Sequence, residues 1–117
     1  MAEPASFRAM VAAAMSEDEL EDNILKAAKF LGWVAVHHRP ARTKDGEWRT
    51  AIKGQKGFPD LCLASDGVVL LRELKREKGK PSEGQMIWLE ALGDFGGIWR
   101  PSDWLSGRIQ NELRRTR

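Results

Sequence analysis

Asp60, Glu73 and Lys75 are the residues of this chain whose types and spacing could do chemistry together. Asp60 closes the run Gly57-Phe58-Pro59-Asp60, and Glu73-Leu74-Lys75 follows after an Asp66-Gly67 pair. Asp-Gly between two apolar runs is the strongest short-range signal for a two-residue type I′ turn. With Asp66 and Gly67 as the loop, Ser65 pairs with Val68, Ala64 with Val69 and, further down the ladder, Asp60 lies opposite Glu73. Paired residues share a face, with Cβ atoms about 4.5–5.5 Å apart. Period-2 alternation turns Lys75 to that same face and Leu74 to the other. Opposed like charges destabilise a sheet, and a divalent cation held between the two acids resolves the conflict. The plainer alternative is a turn cap at Asp60 and a solvated strand end at Glu73 and Lys75.

Several elements must position these groups. Val68–Leu74 is apolar on both faces, as in a central strand covered from both sides, so its charged end lies at the mouth of the sheet. Pro59 lacks an N–H and suits the first residue of a strand or an unpaired edge. Upstream, Ser16-x-x-Glu19 forms a capping box and Gly32 a stop, which predicts a helix over 16–31. Its apolar stripe is Leu20, Ile24, Ala27, Ala28 and Leu31. Glu17 falls within that stripe and Glu21 at its edge, so Glu17 reads either as an inward-facing site acid or as first-turn charge favouring the helix dipole.

A strand is expected over 33–38, then a polar connection over 39–57 that carries Arg39, Arg42, Lys44, Arg49, Lys53 and Lys56 against Asp45 and Glu47. Such length is functional, disordered, or hides a short strand, here 48–52. Its charges, with Arg76 and Lys78 after the hairpin, are either solvated or a phosphate-binding surface. His37 and His38 are adjacent, so on a strand they face opposite ways; they read as structural or DNA-contacting. Ser82-x-x-Gln85 is a second capping box, opening a helix that ends at Gly93 with Ile87, Trp88, Ala91 and Leu92 on its buried side. A strand over 97–100 and one last helix from Pro101 complete an αβββαβ order: an α/β domain with a mixed central sheet flanked by helices.

The 117 residues, 42% hydrophobic, suit one compact domain. Residues 1–15 read as a loose or locally helical N-terminal arm, 16–106 as the domain and 107–117 as a basic C-terminal helix and tail. A net charge of +2 is too small to argue for a polyanionic partner by itself. Cys62, the sole cysteine, excludes an intrachain disulfide or a thiolate zinc cluster and reads as a small core residue. With no membrane span and no signal-peptide pattern, a cytoplasmic location is expected.

Gly57-x-Pro59-Asp60, Glu73-x-Lys75, Ser82-x-x-Gln85 and a preceding Glu-x-x-Leu helix ending in glycine resemble the VRR-NUC domain, a branch of the PD-(D/E)xK, restriction-endonuclease-like nucleases. The resemblance covers about residues 16–104, and the short chain suggests the stand-alone type of phages and bacteria. The resemblance implies a restriction-endonuclease-like core and a Mg²⁺- or Mn²⁺-dependent phosphodiesterase acting on DNA. Asp60 and Glu73 would be metal ligands and Lys75 would place the attacking water. Glu17 matches the family's helix acid by its distance from Gly32, with Glu21 as the reserve by the closer spacing of archaeal junction resolvases. Gln85 matches the polar residue of the next helix. A homodimer resembling Holliday-junction resolvases is also implied. Phe58 departs from the small residue usual there.

Bare chemistry is compatible with that assignment. Phosphodiester hydrolysis needs an activated water and neutralised oxygens, which a carboxylate-bound ion supplies, and the Leu74 carbonyl is a further hard ligand. The absence of tyrosine excludes tyrosine recombinases, relaxases and GIY-YIG nucleases, and two adjacent histidines make a poor HNH site. The rival from another class is a catalytically inactive module that recognises branched or single-stranded DNA, with Trp33, Trp48, Trp99 and Trp104 available for stacking.

Overall fold

The computed structural model describes residues 5–37, 41–42, 48–49 and 53–115. In chain order they form α1 (Ala5–Ala14), α2 (Glu17–Phe30), β1 (Val34–His37), β2 (Ala41–Arg42), β3 (Trp48–Arg49), β4 (Leu61–Ser65), β5 (Val68–Leu74), α3 (Glu83–Leu92), β6 (Gly96–Trp99), α4 (Pro101–Leu105) and α5 (Arg108–Arg115). Asp66 and Gly67 adopt φ of 49° and 81°, the left-handed pair that a type I′ turn requires. The expected register follows from them: Ser65 pairs with Val68, Ala64 with Val69, and Leu61 with Arg72.

β1 joins β4 antiparallel and β6 joins β5 parallel, giving a four-stranded mixed sheet of order β1-β4-β5-β6. The fold is α/β, with helices on the sheet. β2 and β3 form a separate two-stranded ladder. The strand expected over 48–52 is present at Trp48–Arg49; residues 50–52, like His38, Arg39, Lys44, Asp45 and Glu47, lie outside the described residues.

One sheet face makes the core. Leu61, Leu63, Leu70 and Leu74 pack against Leu20, Ile24 and Ala28 of α2 and against Ile109 and Leu113 of α5. Ser16 caps α2 by accepting from the Glu19 N–H at 3.1 Å. The Trp33 indole donates to the Leu113 carbonyl at 3.0 Å, tying α5 beneath the α2–β1 corner. Arg72 enters this core from β5, with its guanidinium 5.1 Å from the Trp99 ring and 3.1 Å from the Glu112 carboxylate.

The N-terminal arm takes the locally helical of its two expected forms, α1, and packs against α4. Three other expectations change. The last helix is two, because Ser106-Gly107 breaks it, Gly107 taking φ of 85°. On α3, Ile87 and Ala91 are exposed, and the stripe facing the protein is Gln85, Trp88, Leu89 and Leu92. That helix sits against β6 and the loop before Asp60, so the spacing that counts starts from Gln85. Finally, β5 is covered on both faces only towards Glu73, and Val69 is exposed. Cys62 is half-buried on that second face. Among the described residues no helix is long and apolar enough to cross a membrane.

Candidate active site

The loop ahead of Asp60 is set by backbone packing. Gly57 takes φ of 99°, and a Cβ placed on it would meet the Gly84 carbonyl carbon at 2.3 Å. Neither strain nor space admits a side chain. Around this contact the Trp88 indole donates to the Gln55 carbonyl at 3.0 Å, and Phe58 meets the Trp88 ring edge-on at 4.9 Å. Phe58, the departure from the resembled motif, therefore anchors the loop to α3. Pro59 is buried behind it. Asp60 emerges just before β4, and its Oδ2 accepts from the Leu74 N–H at 3.0 Å, which carries the hairpin one step past its last ladder pair.

Glu73 lies beside Asp60 and is 2% exposed. Its Oε1 accepts from Gln85 Nε2 at 2.9 Å. Its Oε2 is buried and meets no donor among the described residues. Burial pushes the Glu73 carboxyl up to about 9, reinforced by hydrogen bonding and charge repulsion from Asp60; Lys75 pulls the other way and Glu17 adds to the rise. At neutral pH Glu73 therefore keeps its proton. Lys75 is half-buried, and its N–H donates to the Trp99 carbonyl at 3.2 Å, so β6 holds the backbone that carries it.

A cavity of about 330 Å³ opens over Asp60, lined also by Glu17, Glu21, His37, Leu74 and Arg76. The first turn of α2 thus faces the end of the β4–β5 hairpin. The two helix acids differ. Glu21 is buried and lies 2.8 Å from His37 Nδ1, whereas Glu17 is exposed and its charge reaches Glu73. The structure thereby brings Asp60, Glu73, Lys75, Gln85 and Glu17 into one neighbourhood, with the Leu74 backbone between the acids. His37 is the wall residue not assigned there from sequence. The available signal was parity, since His37 shares a strand face with Ala35, and that face looks onto α2.

Among the described residues no three His, Cys, Asp or Glu side chains form a ready ligand cluster; the acids form a pair with a third nearby. Of the cations expected to meet phosphate, Lys53, Lys56, Arg76 and Lys78 are exposed, and Arg76 borders the cavity. The Arg42 side chain, Arg39 and the Trp48 side chain lie outside the description. Trp33 and Trp99 are core residues and Trp104 is half-buried, so the first two are closed to stacking on bases. Comparison of the chain with protein-family models, with curated proteins and with solved structures finds no match to any of them.

Proposed function

We propose that this chain is a divalent-metal-dependent DNA endonuclease with a restriction-endonuclease-like core, in keeping with its resemblance to VRR-NUC nucleases. The observation that carries the reading is Glu73, a buried carboxyl with one oxygen lacking a donor and pressed against a second carboxylate. Such a group is costly unless its negative charge is used. The donor set fits Mg²⁺ or Mn²⁺, since Mg²⁺ is commonly held by one or two carboxylates and keeps several waters. Asp60 and Glu73 would hold the ion, with the Leu74 carbonyl and Glu17 as further oxygen donors. When bound, the ion polarises the phosphodiester and lowers the pKa of the attacking water.

The protein's own groups do the rest. Gln85 fixes the Glu73 carboxyl. Lys75 orients the water electrostatically, while Arg76 at the cavity edge and the exposed Lys53, Lys56 and Lys78 take neighbouring phosphates, as do Arg39 and Arg42 in this reading. The working form is a cytoplasmic homodimer acting on branched or duplex DNA, as the resemblance implies. The test is a cleavage panel of labelled four-way junction, flap, duplex and single-stranded DNA with Mg²⁺ or Mn²⁺. Cutting by wild type that is absent in Asp60→Ala and Glu73→Ala is the expected result.

The second reading, a module that binds DNA without cutting it, draws on the raised pKa of Glu73, because a buried carboxyl that keeps its proton needs no ion beside it. It predicts salt-sensitive DNA binding with no metal-dependent cleavage of any substrate.

A further inference from the structure

A second depression, of about 700 Å³ and largely apolar, lies between α1 and α4. Ala9, Met10 and Leu105 supply its apolar surface, and Arg8 and Lys78 its cationic rim. A small cleft shares walls with it and with the carboxylate cavity. Arg76 lines both that cavity and the cleft, and Ala13, Glu77 and Lys78 line both the cleft and the α1–α4 groove. The turn between the two is held rigidly. Arg100 Nη1 donates to the carbonyls of Arg76, Glu77 and Gly79 at 2.8, 3.1 and 2.7 Å, and Arg76 Nη2 reaches the Ala13 carbonyl at 3.4 Å.

We propose that this groove receives unpaired bases of the strand whose phosphate occupies the carboxylate cavity, so that the preferred substrate carries a single-stranded segment next to the cut. The inference rests on the nucleic-acid reading of that cavity. A polyanion leaving it along the 76–79 turn passes Arg76 and Lys78 against the single acid Glu77. It then meets an apolar surface of the size range of small-ligand sites. Nucleobases present apolar faces on an anionic backbone, and a groove with apolar walls and a basic rim complements both. A paired base would first have to leave its stack, at a cost of a few kcal/mol, so DNA that is already unpaired is favoured.

The test measures binding by fluorescence anisotropy in EDTA at low salt, comparing blunt duplex with the same duplex bearing a single-stranded tail, alongside Mg²⁺-dependent cleavage. Wild type is expected to bind the tailed DNA about tenfold more tightly, and Ala9→Trp, which fills the groove, and Met10→Glu, which repels the backbone, to reduce that ratio below about twofold. Both positions are exposed on α1, and thermal melts verify that the variants fold. Equal affinity of wild type for the two DNAs, or full tail preference in both folded variants, overturns the proposal. So does tail preference that survives while Ala9→Trp dissociates a dimer in light scattering, which assigns the groove to a second copy. If the tail preference is present and lost in the variants but no DNA is cut, the groove stands and the endonuclease reading falls.

Discussion

Gln85 donates to Glu73 through Nε2 at 2.9 Å while its Oε1 accepts from the Ser82 N–H at 2.8 Å, so one amide both closes the helix cap and holds the buried acid. The two roles are separable. Gln85→Glu retains an acceptor for the Ser82 N–H but replaces the donor to Glu73 with another carboxylate, whereas Gln85→Ala removes both bonds. Helix capping of this kind is worth about 1 kcal/mol. Gln85→Ala is therefore expected to lower unfolding stability by about 1–2 kcal/mol in denaturant titrations. Gln85→Glu is expected to keep the cap and still lose most cleavage activity.

Glu73 is expected to make the protein less stable in alkali when no ion is bound. Its folded-state pKa of about 9 stands above the ordinary 4.5, so the native state retains a proton that the unfolded chain has released between those values. The associated stability is fully present below about pH 4.5 and is lost as pH rises towards 9, with a slope of at most about 1.4 kcal/mol per pH unit. Glu73→Gln, neutral at every pH, should flatten this dependence and melt higher than wild type at pH 8 in EDTA. A wild-type melting temperature that does not fall between pH 5 and 8 would contradict the assignment.

Metal addition should offset that loss, because a divalent ion can take the place of the proton that Glu73 retains. Mg²⁺ at millimolar concentration is expected to raise the melting temperature of wild type at pH 8, and EDTA to reverse it. Asp60→Asn should show neither response. Calorimetry should also record proton release on binding, since Glu73 must ionise to serve as ligand.

Lys75→Met tests the placement of the attacking water. It is expected to lower the cleavage rate by at least about 100-fold, in the range seen when a single electrostatic contact to a reacting group is removed. DNA affinity at low salt should change little. Loss of binding equal to the loss of rate would make Lys75 a phosphate contact instead.

Arg72 is a structural prediction of a different kind. Its guanidinium is buried between Trp99 and Glu112 and also donates to the Leu71 and Phe95 carbonyls at 3.0 and 3.1 Å. Arg72→Met is expected to cost about 2–3 kcal/mol, measured from chemical unfolding, because it removes a partner from a partly buried carboxylate. The cost should shrink in a Glu112→Gln background. An unchanged cost would place the contribution of Arg72 in its carbonyl bonds and packing.

The parts of this fold governed by short-range rules could be read from the chain. Asp66-Gly67 determines a turn, the turn determines register, and register alone puts Asp60 beside Glu73. Ser16 and Ser82 mark their helices for the same local reason. Choices that depend on packing between distant elements were not readable. Glu17 and Glu21 differ by one helical turn, and the partner that separates them, His37, comes from strand β1. The outward face of α3 depends on where the loop before Asp60 lies, and the burial of Arg72 depends on Glu112, 40 residues away. The break at Ser106-Gly107 had a local signal in its glycine, but a single glycine does not distinguish a broken helix from a tolerated one.

Gly57 and Gly84 press main chain on main chain, and the reverse substitution is as crowded, since a Cβ on Gly84 would come 2.8 Å from the Lys56 carbonyl oxygen. The two glycines therefore work like the meshed teeth of a clasp. Whatever draws α3 outwards must also withdraw the segment leading to Asp60. The carboxylate from one element and the amide from the other keep a common alignment or lose it together, which leaves the surrounding surface free to vary without blurring the centre.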